Sequence, residues 1–219
     1  AFTNQGWRTQ FSTEAIQDVV VKTAGADAST PLAQGGAVNI VTKSGGNEFH
    51  GSAGIFLQPK QFNWTNIPNG TSSTLTLYQP DLSLGGPVIL PGFGEGTSMW
   101  WKGKDKLWFF MTYRNVVTDE GVPRSAAALA RFEQYGFPVP DYDKLERSQR
   151  FTGKLTYMMN DKHTFAFNYL NDSGTIFNSD SNDASTLEST IDLRAGGPTY
   201  QFQWTGNFTS KFLWTAQYG

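Results

Sequence analysis

The chain has 219 residues, of which 15% are aromatic, only 16% are charged and none is cysteine. Soluble domains carry about 25% charged residues, and no apolar stretch here approaches the ~18 residues of a membrane helix. The net charge of −2 argues against a nucleic-acid partner, and the lack of cysteine excludes disulfide and thiolate chemistry. Two classes remain open on composition, a soluble all-β protein and a membrane β-barrel, in which apolar and polar residues alternate.

The first predicted elements are two strands separated by small residues. Residues 16–23 and 37–42 are rich in β-branched side chains, which favour strands. The second strand follows the pair Gly35-Gly36, and two adjacent glycines allow a sharp turn or a close approach to another backbone.

Alternation of apolar and polar side chains predicts the remaining strands. Residues 150–157 pair with 163–171 across a short polar turn, and residues 199–208 pair with 212–218, so both segments are predicted hairpins. Less regular strands are expected at residues 47–58, 75–85 and 107–115, the second of which contains Pro80. One face of these strands is aromatic and aliphatic, whereas the other carries Thr, Asn, Gln, Lys and Arg.

The connections alternate between long and short. Those after residues 58, 115 and 171 are long, and those after residues 159 and 208 are short. Such alternation is typical of outer-membrane barrels, which have long outer loops and short periplasmic turns. Residues 86–105 are the exception and are interpreted as an enlarged turn. The one predicted helix, residues 125–135, falls in the longest outer loop.

Four runs of residues carry a resemblance to a known family. The run GGAVNIVTK (residues 35–43) resembles the strand that closes the plug domain of TonB-dependent outer-membrane receptors. The runs SGGNEFHGS (44–52), LGGPV (84–88) and KDKLWFF (104–110) resemble the subgroup with a carboxypeptidase-regulatory-like N-terminal domain. That subgroup usually has an acidic residue, Tyr and Gly shortly before the glycine pair, where this chain has Ser29-Thr30-Pro31.

The resemblance implies an all-β fold in two parts. Residues 1–46 would be the C-terminal part of a plug domain, and residues 47–219 the first strands and loops of a transmembrane antiparallel barrel in the outer membrane of a Gram-negative type bacterium. About seven strands are expected, whereas the family's barrel has about 22, so we expect further sequence on both sides. The plug-to-barrel motif would comprise Gly35, Gly36, Asn39, Thr42, Lys43 and Asn47.

The same resemblance implies the function and the partners. The protein would move a large solute, of the peptide, protein or oligosaccharide class, across the outer membrane with gating by the plug. Its partners would be outer-membrane lipid and a TonB-type energising protein, which binds through a segment not in this chain. No nucleic acid, metal or cofactor is expected.

The residues themselves give no signature of an enzyme. His50 and His163 lack the partners of a metal site, and the chain has no nucleophile elbow or phosphate loop. Six tryptophans are expected to lie in the interface girdles or to face lipid, namely Trp64, Trp100, Trp101, Trp108, Trp204 and Trp214. The candidates for solute binding are two aromatic residues of the first outer loop and three inward cations, although lumen polarity explains the cations equally well: Phe62, Trp64, Arg114, Arg150 and Lys154.

Two alternatives to a transporter remain at this stage. A structural or adhesion barrel would keep the same fold and use its long outer loops for contacts. A soluble β-sandwich that acts as a binding module would show the same alternation along its strands.

Overall fold

The structure is a computed structural model that describes residues 13–22, 37–62, 75–91, 100–209 and 212–219. These residues are almost entirely β-structure with one helix. The elements are β1 (Ile16–Lys22), β2 (Ala37–Thr42), β3 (His50–Gln58), β4 (Leu75–Pro87), β5 (Ile89–Pro91), β6 (Trp100–Lys102), β7 (Leu107–Gly121), α1 (Ala126–Gln134), β8 (Asp143–Asn160), β9 (His163–Asn171), β10 (Gly174–Phe177), β11 (Leu193–Ala195), β12 (Pro198–Thr209) and β13 (Phe212–Tyr218).

Most of the described strands form one antiparallel sheet with the order β13-β12-β9-β8-β7-β4-β3. Strands β10 and β11 extend this sheet at one end, where β10 pairs with both β8 and β11. Neighbours in the sheet follow one another along the chain, apart from the inserted hairpins β5–β6 and β10–β11. The sheet is therefore the up-and-down meander that outer-membrane barrels use, and the seven predicted strands are confirmed.

The two faces of the sheet differ in chemistry. Leu155, Phe167 and Phe202 are direct cross-strand partners on one face, and about 40–45% of each is exposed. A continuous exposed apolar face is rare on soluble proteins, whereas lipid covers such a face in a barrel. The opposite face is polar and more buried, with the cross-strand row Ser83, Thr112, Thr152 and Leu170.

Aromatic rings border the apolar face at both ends. Near the short turn at residues 161–162, the indole N–H of Trp204 donates to Nδ1 of His163 (3.3 Å), and Phe208 packs edge-on against both rings. Tyr169 and Tyr200 pack together at the other end, with ring centroids 5.2 Å apart. Tyr200 and Phe208 lie eight steps apart on β12, which is about 27 Å along a strand. At the tilt of about 35–45° that barrel strands have, this length corresponds to a height of roughly 20 Å, close to the apolar band of about 25 Å.

The pair Gly85-Gly86 leaves room for a ring on each face of the sheet. A Cβ on Gly85 would lie 2.9 Å from Nε2 of His50, whose ring stacks on Phe110 on the polar face. A Cβ on Gly86 would lie 2.5 Å from Cδ1 of Phe49 on the apolar face. Rings that cross strand glycines in this way fix the register of the strands. The segments 44–52 and 84–88 therefore pack against each other as one unit where β3 meets β4.

Several boundaries differ from those expected from sequence. Strand β7 ends six residues later than predicted, and β8 begins seven residues earlier. The helical loop is therefore confined to residues 122–142. The extra residues pair through their backbones, but they lie beyond the apolar band and lack its alternation. Residues 86–105, predicted as an enlarged turn, contain the small hairpin β5–β6. The long connection predicted after residue 171 contains the strand β10.

The prediction that Trp108 faces lipid is wrong. Trp108 alternates with Phe109, and its register partner Thr156 lies on the polar face. The indole N–H donates to Oδ1 of Asn47 at 2.7 Å. Trp108 is partly buried, and Asn47 supplies an acceptor for its indole N–H.

Two outer loops, residues 122–142 and 178–192, are held together by Arg124. One guanidinium nitrogen donates to three backbone carbonyls of the second loop, those of Asn182, Asp183 and Ser185, at 3.0, 2.9 and 2.8 Å. Arg124 is buried, and its guanidinium also contacts the rings of Phe132 and Tyr142 at 5.6 and 5.4 Å. The loops thus form one packed unit at the outer end of the sheet.

A second contact between these loops depends on pH. Ser125 caps α1 by accepting from the N–H of Ala128 at 3.2 Å. The Ser125 hydroxyl and backbone N–H both donate to the carboxylate of Asp183, and these bonds lower the pKa of Asp183. The contact is therefore fully present above the ordinary aspartate pKa of about 3.9 and is lost as the pH falls through the lowered value.

We predict that Arg124→Met loosens the outer loops, because three carbonyls lose a charged donor and such bonds contribute about 1.5–3 kcal/mol. In cells that express the full-length protein, chymotrypsin should cleave these loops about tenfold faster than in the wild type. Arg131→Met, an exposed position on α1, is the matched control and should cleave at the wild-type rate. Equal rates for both variants would show that Arg124 does not hold the loops.

Candidate functional site

The strands β1 and β2 form a separate antiparallel hairpin. Its register runs from Ile16 opposite Thr42 to Lys22 opposite Ala37. The backbone N–H of Lys43 closes the ladder by donating to the carbonyl of Ala15 at 2.8 Å. The β-branched residues of both strands favour this extended pairing.

The hairpin lies against the polar face of the large sheet, which is called the inner wall below. Lys154 of β8 donates from Nζ to the carbonyl of Thr42 at 3.4 Å. Ser52 of β3 donates at 3.5 Å to a carboxylate oxygen of Glu14, which lies in the 3-10 turn Thr13–Ala15 just before β1. Ala15 is fully buried at this contact. Hydrogen bonds of this kind contribute about 0.5–1.5 kcal/mol each. The described polar contacts therefore hold the hairpin only weakly.

The junction between the hairpin and β3 is held far more tightly. The segment that joins β2 to β3, residues 43–49, is called the tether. A Cβ on Gly45 would lie 2.1 Å from the carbonyl oxygen of Phe109, so the tether passes directly over the backbone of β7. Asn47 then binds the turn before β7. Its Oδ1 accepts from the N–H of Asp105 (2.8 Å) and from the indole of Trp108 (2.7 Å), while its Nδ2 donates to the carboxylate of Asp105. Asp105 has a φ of 65°, a conformation that aspartate tolerates better than most residues.

This contrast defines what the arrangement can do mechanically. The hairpin has a few long polar bonds to the wall, whereas Gly45 and Asn47 hold the tether by close packing and three hydrogen bonds. Among the described residues, the hairpin is therefore attached to the wall by fewer and longer polar bonds than the junction is.

A cavity of about 630 Å³ lies between the end of the hairpin and the inner wall. Its lining mixes polar and apolar surface, and Lys154 is the cation among the lining residues. The polar lining residues include Thr42, Thr152, Asn168, Gln201, Gln203 and Gln217.

The three predicted cations fall into two groups. Arg114 and Arg150 are cross-strand partners on the inner wall, and both are buried. Arg114 donates from Nε to the carboxylate of Asp81, its neighbour on β4. Lys154 is half-buried and has no carboxylate within ion-pair distance among the described residues.

The other predicted residues are distributed as follows. Phe62 lies in a short 3-10 turn after β3 and is 76% exposed. Asn39 pairs with Val20 across the hairpin, whereas Gly35, Gly36 and Trp64 lie outside the described residues. Thr42 and Lys43 lie at the base of the hairpin, and Asn47 binds Asp105 and Trp108 at the start of β7.

Sequence reasoning missed Asp81, Asn168 and the glutamines of the cavity. Alternation places Asn168, Gln201 and Gln203 on the polar face, and this was the available signal. Their position beside Lys154 depends on the register of three strands, which the sequence does not show.

The described ranges lack two other kinds of feature. No α-helix there is long and apolar enough to cross a membrane. No group of three or more His, Cys, Asp or Glu residues in those ranges could hold a metal ion.

Comparison with known proteins agrees with the geometry. Residues 41–131 match a family described as an outer membrane beta barrel domain, and this match spans the junction, β3, β4 and β7. The chain is part of an outer-membrane β-barrel. The barrel is also 29% identical over 181 residues to the TonB-dependent transporter Oar of Myxococcus xanthus, an alignment that covers 72% of this chain. The chain spans 16% of the length of that relative, and no solved structure matches it.

We predict that Gly45→Ala destabilises the barrel, because its Cβ must displace the backbone of β7. Overpacking of this kind costs about 1–3 kcal/mol, which should lower the urea midpoint of the full-length protein in detergent. Gly46→Ala is the matched control, because a Cβ there meets no atom of the described residues within 4 Å. If the two variants had the same midpoint, the close approach at Gly45 would have no energetic role.

Proposed function

We propose that residues 1–46 are the end of a plug domain and that residues 47–219 begin the barrel of a TonB-dependent transporter. The observation that carries the proposal is the separate hairpin β1–β2 on the polar inner wall of a sheet whose other face is apolar. The TonB-dependent relative and the plug-like run at residues 35–43 support it.

The proposed mechanism follows from the unequal contacts of the hairpin. At rest the hairpin blocks the lumen, held by its polar bonds to Lys154 and Ser52. A TonB-type protein pulls on a segment outside this chain and displaces the plug. Because Asn47 fixes the tether to the barrel, the displacement stops at the junction and the hairpin can return to the same place.

The proposed cargo is a large polar solute of the peptide, protein or oligosaccharide class. Amides and hydroxyls line the cavity beside the hairpin, and such groups exchange hydrogen bonds with polar chains without binding them tightly. The subgroup resemblance of residues 44–52 and 84–110 favours the same class. The proposal includes no catalytic step.

Adhesion through the outer loops is the second candidate function. It is favoured by exposed apolar side chains in the two outer loops that Arg124 holds together, namely Tyr135, Phe137, Val139, Leu187 and Ile191. Exposed apolar residues on an ordered surface often mark contact sites.

Deletion of the TonB-type energy source separates the two functions. Cells with the full-length gene would receive a fluorescein-labelled tryptic peptide mixture or labelled dextran oligosaccharides, and internal fluorescence would be measured after washing. We expect uptake of at least one probe in the parent strain and its loss in both the gene deletion and the TonB deletion. Uptake that persists without TonB would contradict the proposal, and cell adhesion that depends on the gene but not on TonB would favour the second candidate.

A further inference from the structure

Two arginines lie in one cross-strand row on the outward face of the sheet. Arg147 of β8 and Arg194 of β11 are both register partners of Thr175 on β10, so the three side chains leave the sheet on the same face. Arg147 alternates along β8 with the buried inner-wall residues Ser148 and Arg150. The row Arg147, Thr175 and Arg194, called the arginine row below, therefore continues the lipid-facing side, and both of its arginines are exposed.

The arginine row lies just beyond the outer aromatic border. Arg147 is four residues from Phe151, whose ring packs against Tyr169 with centroids 5.7 Å apart. Four residues of a strand span about 13 Å, which is roughly 10 Å in height at the tilt of barrel strands. The headgroup layer adds about 5–8 Å on each side of the hydrocarbon core, and long basic side chains bend toward that layer. Both guanidinium groups are thus within reach of the headgroups of the outer leaflet.

An open cavity of about 640 Å³ adjoins this row. It lies where β10 replaces β9 as the partner of β8, and at this exchange the backbone N–H of Gln149 donates to the carbonyl of Ser173 at 2.9 Å. Both arginines line the cavity, together with the uncharged polar side chains of Asn115, Gln149, Ser173 and Thr175. The described lining residues include no carboxylate.

The positive charge of the row is not matched within the described part of the chain. No carboxylate there lies within ion-pair distance of Arg147 or Arg194. Asp119 lies on the same face but two residues further out along β7 than the register partner of Arg147. The carboxylate of Asp172 accepts from the N–H of Gly197 at 3.2 Å. Two positive charges therefore remain at the edge of the lipid-facing surface.

Guanidinium groups bind phosphate through paired N–H donors, which makes arginine the preferred residue for planar, bidentate recognition of that group. Two strand spacings separate the arginines, about 9.6 Å between their backbones, so their side chains can converge on a phosphate above Thr175. We propose that the cavity is a subsite for the phosphorylated headgroup of a glycolipid of the outer leaflet. Arg147 and Arg194 bind phosphate, and Asn115 and Gln149 bond to sugar hydroxyls. The proposal rests on the barrel fold and not on the transport function.

The apolar surface below the arginine row favours a lipid over other anions. Acyl chains attached to the headgroup would cover Phe151 and the apolar face that continues from it, whereas free inorganic phosphate would leave this surface bare. A zwitterionic phospholipid also carries a phosphate, but its ammonium group would lie beside two like charges. A solute in the lumen would meet the opposite face of the sheet.

The test is native mass spectrometry of the full-length protein in a neutral detergent, which counts bound lipids and gives the bound fraction during a titration. The probes are lipid A with two phosphates, the same glycolipid after removal of both phosphates, and phosphatidylethanolamine. Inorganic phosphate serves as a competitor. The double variant Arg147→Gln/Arg194→Gln removes the charges, and Arg131→Gln is the matched control, an exposed arginine of α1 on the same side of the membrane.

We expect the wild type to bind lipid A roughly tenfold or more tightly than the dephosphorylated glycolipid or phosphatidylethanolamine, because arginine–phosphate bonds are charge-assisted. The double variant should lose this preference and bind all three lipids alike, and Arg131→Gln should keep it. Inorganic phosphate at millimolar concentration should leave lipid A bound. Unheated gel mobility of each variant checks that the barrel is folded.

Four results would overturn the subsite: equal affinity of the wild type for the three lipids, a preference that survives in the double variant, an equal loss in Arg131→Gln, or no bound lipid A. Displacement of lipid A by micromolar inorganic phosphate would reveal a site for the free anion and would also contradict the proposal. The uptake experiment is independent of this outcome, since the arginine row lies outside the lumen.

Discussion

Backbone hydrogen bonding in hydrocarbon is the constraint on which the rest of the structure depends. An N–H or C=O group without a partner costs several kcal/mol in lipid, so a strand can face lipid only when both of its edges are paired. The ladders from β3 to β13 meet this requirement for the interior strands. Because alternate residues then point to opposite faces, pairing also separates an apolar face for lipid from a polar face for the lumen.

The polar face determines what can happen in the lumen. Arg114 is paired with the carboxylate of Asp81, and Arg150 is its cross-strand partner on the same part of the wall. Lys154 instead donates to the hairpin and lines the cavity. The hairpin is thus attached to the wall by bonds that water or a solute can replace, while Gly45 and Asn47 keep its base in a fixed place.

The sequence predicted the strands best where lipid imposes alternation. The bounds of β9 and β13 agree with the expected ones. Those of β2 agree as well, although its signal was β-branched composition, and the helix in the long outer loop is confirmed. Beyond the apolar band both faces of a strand meet water, so the outer parts of β7 and β8 and the hairpin β10–β11 carried no periodic signal. Trp108 was misplaced because aromatic composition suggested a girdle, whereas its position in the alternation and its bond to Asn47 decided otherwise.

The candidate site was only partly predictable for a related reason. Thr42, Lys43 and Asn47 followed from a resemblance in consecutive residues, and Lys154 followed from alternation within one strand. The placement of Asn168 opposite Lys154, and of Gln201 opposite Asn168, follows from register between strands. Register depends on features such as the rings over Gly85 and Gly86, which become visible only when the strands are assembled.

The most direct measurement concerns two adjacent residues of β9. The chain has no cysteine, so Phe167→Cys and Asn168→Cys each introduce a single thiol into this region of the full-length protein in lipid vesicles. After labelling with an environment-sensitive fluorophore, brominated lipids should quench the label at residue 167 strongly and the label at residue 168 weakly. Equal quenching at both positions, or stronger quenching at residue 168, would contradict a barrel wall with lipid on one face and a polar lumen on the other.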